Sequence, residues 1–294
     1  VVFTSPAAGT LTEVNRGDRR ALISVVIEFN ENEKKNSISD EDQLSFSSYE
    51  AIRGKSVDEL TSEEVKELLV ESGSWTAIRQ RPFNKVPSPN DAAPMAMFFT
   101  CINTNPLAAD TSKIIEGNEE KFALGIKVLQ KLSNKSYLCV APQNESQFKS
   151  ALGTDAGNVS VETFAGMHPA GLVGTHIHML LGASRKRIAW HVQLQDIIAI
   201  GHLFSSGCLQ VERVVALSGP VVSNPRLIKV RVGARVSELL KGEASDGENR
   251  AVSGSCLSGH ACNTPATDYL GRYSRQLTVL KEGREREFVG WLLP

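Results

Sequence analysis

Apolar positions along this chain change period several times, and each change marks a different kind of element. The run ALISVVIEF (Ala21–Phe29) is rich in β-branched residues, and small-residue turns precede it at Pro6–Gly9 and Asn15–Asp18. Residues 1–29 therefore read as a β-hairpin. A segment this short buries no core of its own, so it is expected to complete a barrel whose first half lies outside the chain. Residues 30–49 are polar and charged and read as a linker. Helical periodicity follows: Thr61 and Glu64 make a capping-box pattern, with Val65, Leu68 and Leu69 at i, i+3, i+4 spacing. From Met95 the pattern alternates between strand and helix. MAMFFTCI is a buried strand, and Glu119–Leu132 carries Phe122, Ile126 and Leu129 on one helical face. Tyr137–Val140 and Val159–Phe164 are strands, and residues 194–204 are helical again. That alternation predicts a parallel sheet, so residues 50–210 read as a Rossmann-like α/β domain. From Glu212 the order becomes strand, turn at Ser223–Pro225, strand, and a short helix near Val236, which opens a β-grasp module over residues 211–275. The fold class is thus α/β and α+β multidomain.

Length agrees with several domains, since 294 residues is about twice a usual single domain. Net charge is −1, from 32 Lys+Arg against 33 Asp+Glu, and lacks the basic excess of a nucleic-acid binder. No membrane-attracting basic cluster stands out along the chain. The longest apolar run, Met95–Ile102, is far short of the ~20 residues that span a bilayer. Any membrane role therefore calls for attachment through other subunits. The five cysteines are odd in number and sit mostly in apolar stretches, as buried reduced thiols do. The chain opens inside a strand, has no initiator Met, and ends at GWLLP, so it reads as truncated at both ends.

Candidate chemistry is sparse. No G-x-G-x-x-G and no G-x-x-x-x-G-K-[ST] occurs, so the standard phosphate cradles are missing, and no C-x2-C run offers an iron–sulfur ligand set. Gly171 and Gly174 form only a G-x-x-G, the mark of a turn with close backbone packing. His176 and His178, two apart, would share one face of a strand and grip a metal; structural histidines are the commoner meaning of such a pair. Cys256, His260 and Cys262 fall within seven residues, but C-x3-H-x-C is not a zinc-knuckle spacing. Trp75, Arg79, Arg81 and Phe83 crowd one irregular stretch, as in a structured loop or an intersubunit surface.

Taken in order, SPAAGTLTEVNRGDRRALISVVIE, SGSWTAIRQRPFNKVP, NTNPLAAD, HPAGLVGTHIHML, AWHVQLQDIIAIG, VVALSGPVVSNPR and YLGRYSRQLTVLKEGREREFVGW carry a resemblance. The chain resembles the family of A subunits of the Na(+)-translocating NADH:quinone oxidoreductase over nearly its whole length. The resemblance implies that residues 1–29 are the second half of a barrel-sandwich hybrid like biotinyl and lipoyl carriers. It implies a soluble-ligand-binding (SLBB) β-grasp domain after the Rossmann-like one, with residues 276–294 returning toward a further C-terminal region. It implies a peripheral, cofactor-free subunit on the cytoplasmic face of the inner membrane, serving assembly and quinone reduction, with no catalytic residue of its own. Partners are then the other subunits, especially a membrane subunit, and a ubiquinone or menaquinone. NADH, flavins, iron–sulfur centres and sodium are handled elsewhere in the complex.

That family is similar in turn to the NADH- and flavin-binding subunit of respiratory complex I, where a glycine-rich loop admits the flavin phosphate. Here the matching stretch, Gly73–Phe83, carries Trp75, Ile78, Arg79 and Arg81, which block close backbone approach. Two other functions remain: an Rnf-like electron-transfer adaptor, which should carry C-x2-C-x2-C clusters, and a metal-dependent hydrolase built on His176 and His178. For a quinone, the segment His168–Leu180 combines imidazoles, backbone N–H groups beside Gly171 and Gly174, and apolar Leu172, Val173 and Met179. It also follows the strand VSVETF, at the end of a parallel sheet where ligands settle. His168, Gly171, Gly174 and His176 are therefore expected to border a quinone-related cavity, with Trp75 and Phe83 as walls.

Overall fold

The computed structural model describes residues 2–39, 42–154 and 157–284. They divide into two compact units, one within residues 2–12, 27–105 and 110–211, the other within residues 13–26, 106–109 and 212–284. The opening strands β1 (Gly9–Arg16) and β2 (Leu22–Phe29) form a two-stranded sheet of their own. Gly9 is required there, because a Cβ would lie 2.0 Å from the Glu28 carbonyl oxygen. The linker is not wholly irregular. It holds the one-turn helix α1 (Glu31–Lys34), whose N-cap Asn30 accepts from the Glu33 N–H at 2.8 Å.

Helices α2 (Ser47–Ile52) and α3 (Ser62–Glu71) follow. The predicted capping box at α3 is formed: Thr61 Oγ1 accepts from the Glu64 N–H, and the Glu64 carboxylate accepts from the Thr61 N–H. Val65, Leu68 and Leu69 are fully buried, as their spacing requires. Next come β3 (Arg79–Arg81), β4 (Ala96–Cys101), α4 (Thr111–Ile115), α5 (Glu119–Gln130), β5 (Ser136–Val140) and α6 (Glu145–Leu152). They are followed by β6 (Val159–Thr163), α7 (Val173–Leu180), β7 (Ala189–Gln193) and α8 (Leu194–Ser206).

The sheet order is β3-β7-β4-β5-β6. β7, β4, β5 and β6 run parallel, and β3 joins β7 antiparallel at the edge. The chain steps outward from β4 to β6, then returns across the sheet to β7. Strand order therefore reverses between β4 and β7, the point at which open α/β sheets place ligands. Every residue of β4 and β5 is buried, the mark of strands covered on both faces. α5 and α8 touch backbone to backbone: a Cβ on Gly201 would come 1.8 Å from the Lys121 carbonyl oxygen, and one on Gly125 would come 2.1 Å from that of Ile197.

The second unit holds β8 (Glu212–Ser218), β9 (Arg226–Arg231), the one-turn helix α9 (Val236–Leu239), β10 (Asn249–Ser253), β11 (His260–Ala261) and β12 (Gln276–Lys281). Its sheet runs β11-β10-β12-β8-β9, with β12 parallel to β8 and the other neighbours antiparallel. Val215, Leu217, Val230, Val236, Leu277 and Val279 make its core. A module ending at residue 275 would lack its middle strand. Gln276 to Val279 are buried, and Leu277 and Thr278 pair with β8 on one side and β10 on the other, so at least the start of the expected return segment belongs to this sheet. The rest of that segment, from residue 285, lies outside the described residues. No helix among the described residues is long and apolar enough to cross a membrane.

Candidate functional site

The carboxyl ends of the parallel strands bring two loops together. After β4 the chain runs through Ile102–Asn105, and after β6 it runs from Phe164 to Leu172 before entering α7. They meet at Thr104. Its Oγ1 accepts a 2.8 Å hydrogen bond from the Gly171 N–H and lies 3.2 Å from His168 Nδ1. Gly171 is buried, and a Cβ there would stand 2.7 Å from the Thr104 backbone nitrogen, so the position admits only glycine without a shift. Gly174 differs: a Cβ there would meet nothing within 4 Å.

His176 lies in the first half of α7 and is fully buried. Its Nε2 is 2.9 Å from the Ala170 carbonyl oxygen, which only an N–H can satisfy, so the neutral ring carries its proton on Nε2. Nδ1 is buried and meets no hydrogen-bond partner. The ring packs on Phe164 with centroids 4.2 Å apart. Burial pushes the His176 pKa below its ordinary value, and the bond to Ala170 opposes this only in part.

The expected strand through His176 and His178 is a helix. Val173, Ile177 and Leu180 recur at helical spacing and pack on β4 and β5, and this sets the period. Two residues apart on a helix point to opposite sides. His176 is accordingly buried and His178 exposed, so the pair grips no metal. Nor does any group of three or more His, Cys, Asp or Glu among the described residues stand ready to hold one. Cys256 and His260 are exposed and Cys262 is half-buried, while Cys101 and Cys139 are the buried thiols.

Trp75 and Phe83 do not join the His168–His176 loop as walls. Trp75 is only 2% exposed, donates its indole N–H to the Pro87 carbonyl at 2.8 Å, and meets Trp190 edge-on at 5.6 Å. Phe83 is 71% exposed. It follows β3, whose last residue Arg81 pairs with Ala189, the first residue of β7. Phe83 therefore lies near the amino ends of the parallel strands, whereas Thr104 lies past the carboxyl end of the central strand β4. The stretch Gly73–Phe83 is closed in backbone terms as well. The Thr76, Ile78 and Gln80 N–H groups already donate to the Gly73, Trp75 and Lys85 carbonyls. A phosphate cradle needs such donors open.

Thr104 escaped sequence reasoning. A signal was present: it lies in the polar NTN turn just past the most apolar strand, at the carboxyl end where a switch point would fall.

A family model described as the NqrA second alpha/beta domain matches residues 60–209. The chain belongs to the NqrA family. Models of the NqrA N-terminal barrel-sandwich hybrid domain and of the NQRA C-terminal domain match residues 1–30 and 214–264. Among curated relatives, proteins named as the A subunit of the Na(+)-translocating NADH-quinone reductase are 46% identical in Pasteurella multocida over 295 residues and 42% identical in Haemophilus influenzae over 294 residues. Each match takes in 100% of this chain and 62% of the relative, so the chain spans under two thirds of their length. Among solved structures, an NAD+-reducing NiFe-hydrogenase in the air-oxidized state aligns with a TM-score of 0.55 at 13% identity, over 81% of this chain and 50% of that one. At that identity the likeness speaks for the fold alone. The fold and the family membership stand together with the multidomain α/β and α+β reading.

Proposed function

We propose that the chain serves as a peripheral, cofactor-free part of the A subunit in a sodium-translocating NADH:quinone oxidoreductase, supporting assembly and the quinone-reducing end. The observation that carries this reading is 46% identity, across the whole chain, to a protein bearing that name. The engaged Thr76, Ile78 and Gln80 N–H groups of Gly73–Phe83 support it further, because they are not open to form a backbone cradle for a flavin phosphate. NADH oxidation and the flavin and iron–sulfur relays then fall to other subunits, and the main partner is a membrane subunit.

Within this reading the loop of His168, Gly171, Gly174 and His176 borders the quinone. A quinone carbonyl only accepts, so the site must donate. Thr104 Oγ1 accepts from the Gly171 N–H and shares a second hydrogen bond with His168 Nδ1. In the tautomer that carries its proton on Nε2, His168 keeps an N–H to offer a carbonyl, and we assign it as the donor. His176, whose Nε2–H is committed to Ala170, shapes the loop.

The test is steady-state quinone reduction by complexes carrying His168→Ala or Thr104→Val. Losing one hydrogen bond to a carbonyl weakens apparent quinone affinity by about two- to tenfold for His168→Ala. Unchanged affinity in both complexes, with normal assembly, would make these residues structural and move the quinone to an interface with a membrane subunit. Failure of the chain to co-purify with other subunits of such a complex would remove the functional reading altogether.

A further inference from the structure

Two short basic segments far apart in sequence share one edge of the α/β unit. Arg79, Arg81 and Lys85 lie on or just after β3, and Arg185, Lys186 and Arg187 lead into β7. The β3–β7 ladder, with Arg81 opposite Ala189, and the Gln80–Lys85 bridge bring them side by side. Between Ser72 and Asn90, and between Thr163 and Gln195, the sequence contains no Asp or Glu. The nearest carboxylate in sequence, Asp91, accepts from the Ser88 N–H. Among the described residues, Arg81, Lys85, Arg185, Lys186 and Arg187 make no ion pair. Arg81 is half-buried, and its Nε is enclosed without a hydrogen-bond acceptor. Its pKa is lowered by burial and then by the charge of Arg79, so like charges crowd here.

The same edge exposes apolar groups. Phe83 is 71% exposed beneath the Arg185 guanidinium, 5.9 Å from ring centroid to cation. Met95 is 52% exposed, and its N–H donates to Ile188, the residue after Arg187. Cations interleaved with a protruding aromatic and a methionine match the headgroup zone of an anionic bilayer, where ammonium and guanidinium groups meet phosphate and apolar tips enter the acyl boundary. An acidic polypeptide would be matched by the charges but not by the apolar tips.

We propose that this edge, centred on Arg81, Phe83 and Arg185 to Arg187, is a docking surface for an anionic lipid bilayer. The surface is separate from the Thr104–His168 loop and independent of quinone binding.

Flotation of the full chain with phosphatidylcholine vesicles, with and without phosphatidylglycerol, tests it. Binding is expected only to the anionic vesicles and to fall steeply as salt rises. The triple reversal Arg185→Glu, Lys186→Glu, Arg187→Glu is expected to lower partitioning at low salt on the order of 100-fold. As a probe that leaves the charges intact, Phe83→Trp should gain a blue-shifted fluorescence component on anionic vesicles relative to the unsubstituted chain. Equal partitioning of the reversed and unsubstituted chains overturns the proposal, as does an unshifted Phe83→Trp spectrum. Tighter binding to soluble polyglutamate than to the vesicles also overturns it, since the site would then serve an acidic protein.

Discussion

Strands β2 and β4 are built from similar residues and have opposite fates. β2 carries Leu22, Ile23 and Val25, which are 57%, 48% and 48% exposed, whereas Met97, Phe98 and Phe99 of β4 are fully buried. Apolar content therefore does not decide burial. β4 lies between β7 and β5, with helices on its faces, while β1 and β2 form a sheet of only two strands. A two-stranded sheet is marginal by itself in water, since its faces stay wet. The hairpin is a piece of architecture that needs a partner, and the α/β sheet is one that does not.

Core truncation should widen that contrast most. Phe99→Ala in β4 is expected to cost about 3–5 kcal/mol in chemical denaturation, against roughly 0.5 kcal/mol or less for Leu22→Ala in β2. Equal costs would mean that something covers the hairpin as fully as the sheet. Amide hydrogen exchange should rank the regions in the same order. β4 and β5 should exchange only near global unfolding, and residues 2–29 should exchange first. Protection of β1 and β2 equal to that of β4 would show a completed barrel.

The quinone-bordering loop falls between these extremes. Gly171→Ala forces a Cβ against the Thr104 backbone, and overpacking of this kind costs about 1–3 kcal/mol. Gly174→Ala, with open space at the Cβ, should leave the melting temperature nearly unchanged. If both behave alike, the Thr104–Gly171 contact is not what holds the loop.

A smaller effect than that of Gly171→Ala belongs to a surface cap. The Glu71 carboxylate accepts from the N–H groups of Ser47 and Ser48 at 3.0 and 2.9 Å and from both hydroxyls, which closes the start of α2. The hydrogen bonds from Ser48, then those from Ser47, hold its pKa down at about 2. A carboxyl with a depressed folded pKa stabilises fully above its ordinary value of 4.5, and that stability is lost as pH falls toward 2. Glu71→Gln should lower stability by about 1 kcal/mol at neutral pH, a difference that shrinks on acidification. A difference that grows on acidification would contradict the sign.

Several elements were legible in the residues themselves. The capping box at Thr61, the i, i+4, i+7 face of α5, the β-branched run of β2 and the unbroken apolar run of β4 all declare themselves locally. Short-range hydrogen bonding and side-chain periodicity fix them before any packing. The tertiary structure decided the rest. His176 and His178 lie on a helix because Val173, Ile177 and Leu180 had a sheet to cover, and nothing nearby in sequence announces that sheet. Strand β12 became the middle of the β-grasp sheet through pairing with β8, about sixty residues earlier. Thr104 reached His168 and Gly171 through a return crossover, and the two basic segments met through the β3–β7 ladder. Each of these depends on a contact between distant residues, whose energy is set by the layers that close over both faces.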